Sequence, residues 1–104
     1  MDELTVEALF SPGHAPDLHA FLVRTPDETL LFSSDALFHC GKVLATSTPD
    51  CCPADLAATL RRFAELPADA LFPGHGLWVL KRATSHLRAP LPALERGLLP
   101  ENLF

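Results

Sequence analysis

The chain has 104 residues, 48% hydrophobic and 20% charged, which is the make-up of one ordinary globular domain. Eight basic residues against thirteen acidic ones give a net charge of −5, so the clustered Lys and Arg that bind phosphate backbones are missing and nucleic acid is excluded as an expected partner. No apolar run reaches the ~20 residues of a membrane span, and no charged region followed by an apolar one opens the chain, so neither a membrane anchor nor a signal peptide is expected.

In chain order, Leu4 to Phe10 alternates, with Leu4, Val6, Ala8 and Phe10 on one face, which predicts a strand ending at Ser11-Pro12-Gly13. Leu18 to Val23 is apolar apart from His19 and suits a buried strand. Thr25-Pro26-Asp27-Glu28 is a turn with proline in a favoured position, and Thr29 to Phe32 is the next strand, so residues 18–33 form a hairpin. His39 to Pro53 contains Gly41 and Pro49 and reads as a long loop. Pro53 opens a helix whose apolar residues Leu56, Leu60 and Phe63 share a face, with Asp55 near the positive end of its dipole; Pro67 stops it. Asp69 to Phe72 is a short strand. A second helix is expected from about Leu77 to Leu87, with Leu80, Ala83 and Leu87 on one stripe, and the proline-rich tail holds turns and a short helix around Leu94. Strand runs joined by tight turns, followed by helix, strand and helix, predict a mixed α/β class with an antiparallel part.

The residues suited to chemistry stand at strand ends. His14 follows Pro12-Gly13, Asp35 follows two serines after an apolar strand, and His75 lies between two glycines after Pro73. Two imidazoles and a carboxylate are the donor types of a catalytic zinc or non-haem iron site. Each also has a plainer reading: a surface turn for His14, a helix cap for Asp35, a tight loop for His75. His19 reads as a partly buried histidine, His86 as solvated, Trp78 as a core or interface aromatic, and His39 and Cys40 as loop residues near the aspartate. Arg61-Arg62 and Lys81-Arg82 fall in helical patterns and read as solvated faces. Cys40, Cys51 and Cys52 are odd in number and lack a Cys-x-x-Cys spacing, so reduced thiols in a cytoplasmic protein are expected, with no cysteine-bound structural zinc.

Ser11-Pro12-Gly13-His14, Asp35-Ala36-Leu37-Phe38 and Pro73-Gly74-His75-Gly76, in that order, resemble the second half of the metallo-β-lactamase-fold hydrolases, a group that includes glyoxalase II-like thioesterases. The resemblance runs from about Val6 to Gly76. It implies that His14 serves a first metal, that Asp35 bridges two metals, and that His75 serves the second; Asp35 is then the residue most central to catalysis. Ser34 stands where the family has glycine. The family's leading His-x-His-x-Asp-His motif is absent.

The resemblance implies one partial domain over residues 1–104, with the motifs in 4–76 and a C-terminal helix and tail in 77–104. Its fold would be half of an αββα sandwich: a mixed or antiparallel sheet with helices on one face. The expected activity is metal-dependent hydrolysis of a small-molecule thioester, ester or phosphoester. Zinc is the expected metal, one or two ions, with iron or manganese as substitutes. A lone half leaves an apolar sheet face uncovered, so a homo-oligomer or a complementary N-terminal half is expected as partner. The competing expectation is a non-catalytic fragment or interaction module that keeps only the fold half.

Overall fold

A computed structural model describes residues 3–104; the first two residues of the expected domain lie outside it. Its sheet has the strand order β1 (Thr5–Phe10), β2 (His19–Arg24), β3 (Thr29–Ser34), β4 (Ala70–Pro73). The first three strands pair antiparallel, and β4 joins β3 in parallel after a crossover through helix α1 (Pro53–Phe63). Two short helices follow, α2 (Thr84–Arg88) and α3 (Leu91–Glu95). This is the expected mixed α/β class, its antiparallel part being the hairpins that the tight turns predict.

The pairing register divides the sheet into two unlike faces. Leu22, Leu31 and Leu71 lie in one cross-strand row and are fully buried. They pack in one cluster with Leu56, Leu60 and Phe63, the apolar stripe of α1. Pro53 occupies the first turn of that helix, where its missing N–H costs nothing, and Asp55 sits in the same turn.

The opposite face has no cover among the described residues. Ala8, Phe21, Phe32 and Phe72 form its central row. Val6 and Phe10 lie on it too, and Phe32 stacks on Phe72 with ring centroids 4.9 Å apart. Trp78 meets Phe72 edge-on at 5.4 Å and is 67% exposed. Val6, Phe10, Phe21, Phe32 and Trp78 together leave roughly 500 Å² of apolar side chain in water, near the upper end of what monomers show. At ~25 cal/mol per Å² its burial is worth on the order of 10 kcal/mol, an upper bound.

Several expectations are corrected. Residues 77–82 are not helical. Val79 exchanges backbone hydrogen bonds with Leu71 (2.8 and 2.9 Å), extending the sheet past β4 and leaving Leu80 exposed; only Thr84–Arg88 is helix. The second strand is buried on one side alone, because a single helix layer covers the sheet: Ala20 and Leu22 are buried while Phe21 is exposed. His19 is exposed and donates from Nδ1 to the Asp17 carbonyl (3.0 Å). His86 is half-buried and accepts the Cys40 N–H at 2.7 Å. The long loop contains a 3₁₀ turn at His39–Gly41 and a parallel bridge between Val43 and Asn102. No helix among the described residues is long and apolar enough to cross a membrane.

Candidate functional site

Strand direction explains why His14, Asp35 and His75 meet. Strands β1 and β3 run the same way because β2 lies between them antiparallel to both, and β4 is parallel to β3. The segments that leave β1, β3 and β4 therefore emerge at one rim, where the carboxyl ends of parallel strands commonly hold ligands.

Asp35 is held by a tight turn. Ser33 is buried and donates from Oγ to the Leu37 carbonyl (2.6 Å), and Ala36 N–H returns to the Ser33 carbonyl (3.0 Å). Leu37 and Phe38 anchor the turn in the core with no exposure. Ser34 takes φ +52°, the left-handed backbone that favours glycine, so the serine at the resemblance's glycine position keeps that position's geometry.

The loop after β4 lies beside this turn. Gly74 N–H donates to the Ser34 carbonyl at 2.7 Å. A β-carbon built on Gly74 would stand 2.6 Å from Asp35 Oδ1, so any larger residue there would displace the carboxylate. His75 then donates from Nδ1 to Asp35 Oδ1 (2.9 Å), with Phe38 behind its ring at 6.3 Å between centroids.

His14 arrives from the other side. Its Nδ1 donates to the Leu44 carbonyl (2.9 Å), which leaves Nε2 as the lone-pair nitrogen, and that atom stands 3.7 Å from Asp35 Oδ2. By the same reasoning the hydrogen bond from His75 Nδ1 leaves its Nε2 free. The Asp35 carboxylate thus lies between the two imidazoles, one oxygen toward each. His14 and Asp35 are 24% and 29% exposed at the side chain and His75 is 55% exposed, so the cluster opens to solvent along the rim.

The structure therefore brings together all three residues singled out in the sequence. It does not close them around a point: among the described residues no group of three or more His, Cys, Asp or Glu side chains is arranged to hold an ion. The donor types and the freed Nε2 atoms fit a metal, but the set is open on the side away from the chain. Cys40, Cys51 and Cys52 are all free thiols outside this cluster.

Of the residues that support the rim, sequence reasoning placed His39 near the aspartate without its partner, and it passed over Leu44 and Asn102. His39 accepts the Leu77 N–H through Nδ1 (3.2 Å), and its ring packs against Gly76. Leu44 belongs to a loop held by the chain's tail. Val43 bonds Glu101 and Leu103 through the backbone (3.1 and 2.8 Å), and the Asn102 amide bonds both backbone groups of Ala45 (3.0 and 3.1 Å). Contacts between such distant segments leave no periodic signal; the asparagine near the C-terminus was the only hint available.

A mixed sheet backed by helices on one face thus carries His14, Asp35 and His75 at one rim. A profile of the metallo-beta-lactamase superfamily matches residues 2–75, and the chain belongs to that superfamily. Solved structures agree on the fold. ETHE1 from Myxococcus xanthus matches with a TM-score of 0.61 at 20% identity, over 94% of this chain and 48% of that one. A metallo-beta-lactamase family protein from Thermus thermophilus matches at 0.59 and 24% identity, over 88% and 30%. An archaeal metallo-beta-lactamase superfamily protein from Sulfolobus tokodaii matches at 0.53 and 25% identity, over 86% and 37%. The chain thus spans less than half the length of each of these structures. A comparison with curated proteins gives no match.

Proposed function

We propose that this chain is the C-terminal part of a metal-dependent hydrolase, glyoxalase II-like in its motifs, acting on a thioester, ester or phosphoester. The observation that carries the reading is the Asp35 carboxylate between two imidazoles, at 2.9 Å from His75 Nδ1 and 3.7 Å from His14 Nε2. His14, Asp35 and His75 would hold the metal, zinc in the first instance with iron or manganese as substitutes. When bound, such an ion would make coordinated water acidic enough to ionise near neutral pH and would polarise the oxygen under attack. The chain's own part is to orient. Leu44 fixes the tautomer of His14, Asp35 fixes that of His75, and the carboxylate supplies negative charge that offsets a cation.

The reading includes a partner. A complementary half-sandwich carrying His-x-His-x-Asp-His would cover the open face of the sheet and reach the same rim. Open face and open donor set support this together. A homo-oligomer covers the face equally well but brings a second copy of the same three donors.

Metal content per chain, measured by mass spectrometry across a size-exclusion profile, tests the proposal. Near-stoichiometric zinc, iron or manganese in native protein, lost in His14→Ala and Asp35→Ala, supports it. No metal after reconstitution, and no hydrolysis of thioester, ester or phosphoester when the complementary half is added, would leave an interaction module that keeps only the fold.

A further inference from the structure

Helix α1 does more than cover the sheet. The turn that presents His14 has three of its carbonyls taken by donors from this helix or its cap. Arg62 Nη2 donates to Phe10 O (2.6 Å), Thr59 Oγ1 to Pro12 O (2.7 Å) and Cys52 N–H to Gly13 O (2.7 Å). Thr59 is fully buried, and its Oγ1 also receives a longer contact from Arg62 (3.4 Å), so the two side chains act as one unit. Gly13 lies against the backbone of Leu56, one turn before Thr59.

A surface turn would leave these carbonyls to water. Here they are fixed to a rigid helix, and the residue that follows them is His14. We infer that Thr59 and Arg62 are positioning residues for the His14 imidazole, acting through the Pro12-Gly13 turn to keep its Nδ1–H on Leu44 and its Nε2 toward Asp35. The inference rests on the proposed metal reading for its purpose but not for its geometry. Thr59 contributes a hydroxyl that no apolar residue of the same shape replaces, and only its methyl group suits the helix–sheet core. Arg62 steadies that hydroxyl from the solvent side and draws in the end of β1.

The test compares native protein, Thr59→Val, Thr59→Ser and Arg62→Met. Two quantities are read: the ring-nitrogen chemical shifts of His14 without metal, which report its tautomer, and Zn²⁺ affinity by competition with a chelator. Native protein should hold neutral His14 as the Nδ1–H tautomer. Thr59→Val should mix the tautomers and weaken Zn²⁺ binding about tenfold, as loss of a supporting hydrogen bond around a ligand commonly does. Thr59→Ser should restore both, and Arg62→Met should shift both in the same direction by less. A Leu94→Ala variant, altered across the helix layer from the turn, controls for lost stability: it should lower the melting temperature and leave the tautomer unchanged. An unchanged tautomer in Thr59→Val and Arg62→Met would overturn the inference and leave Thr59 as a core hydroxyl. If native protein binds no Zn²⁺ on its own, the tautomer series still decides this inference, and the metal reading is decided separately with the complementary half added. Should Thr59→Val not fold, Arg62→Met, altered on the exposed side of the helix, carries the test.

Discussion

Gly13→Ala should be the most damaging small substitution in the chain, because fold and site share that position. Gly13 has φ +144°, and a β-carbon there would stand 2.4, 2.5 and 2.6 Å from Leu56 Cα, Cβ and N. Carbon atoms pack best at about 3.5–4.0 Å, so turn and helix must part by roughly 1 Å. Such a shift stretches the 2.7 Å hydrogen bonds from Thr59 and from Cys52 N–H past useful length. Overpacking costs ~1–3 kcal/mol, the backbone angle ~1 kcal/mol or more, and each weakened bond about 1 kcal/mol. Together, about 4–6 kcal/mol is lost from a domain whose whole stability is of order 5–15 kcal/mol. Urea unfolding followed by circular dichroism reads this directly. Gly97→Ala is the control, since Gly97 has φ +74° with no atom within 4 Å of the added carbon; it should lose only about 1 kcal/mol. Equal losses in the two variants would refute the reasoning, for the backbone angle alone would then account for both.

Asp35→Asn keeps the shape of the side chain and removes its charge. Zn²⁺ affinity should fall at least tenfold by chelator competition, with a melting temperature within a few degrees of native, since the carboxylate lies at the rim and not in the core. Phe21→Asp tests the open face. Phe21 is 43% exposed, so the part still in water is about 90 Å², worth ~2 kcal/mol on burial, and self-association or binding of a complementary half should weaken at least 30-fold by sedimentation velocity. Unchanged association in that variant would place the contact elsewhere on the chain.

Local signals carried most of the fold. Alternation in β1, the Thr25 turn and the 3.6-residue stripe of α1 are properties of short segments, and each formed where expected. The turn is also closed by its own first residue, since Thr25 Oγ1 accepts the N–H groups of Asp27 and Glu28 (3.2 and 3.0 Å). The second helix was misread because Leu80, Ala83 and Leu87 fit a helical stripe while the competing choice, an extended bridge to Leu71, depends on a partner strand invisible in the local pattern. His14, Asp35 and His75 were legible through proline and glycine, which mark where a strand stops and a side chain is turned outward. Their support was not. Leu44 acts through its carbonyl and Cys52 through its N–H, and backbone groups carry no residue signature. Thr59 lies between Ala58 and Leu60, and nothing in the local pattern marks its hydroxyl.

The open face and the rim are one connected surface, and under the proposed reading that would tie metal binding to association. Phe10 stands four residues before His14, Phe32 three before Asp35 and Phe72 three before His75, so each strand passes directly from the open face to a site residue. A body that covers the face is thereby carried to the donors. Covering the face supplies favourable free energy on the order of 10 kcal/mol, enough to offset ordering the rim loops and withdrawing Asp35 from water. Linkage makes the relation reciprocal: whatever factor coverage adds to metal affinity, metal adds to the affinity for the cover. An ion bound only by this chain would leave association unchanged, whereas one shared across the rim would tighten it.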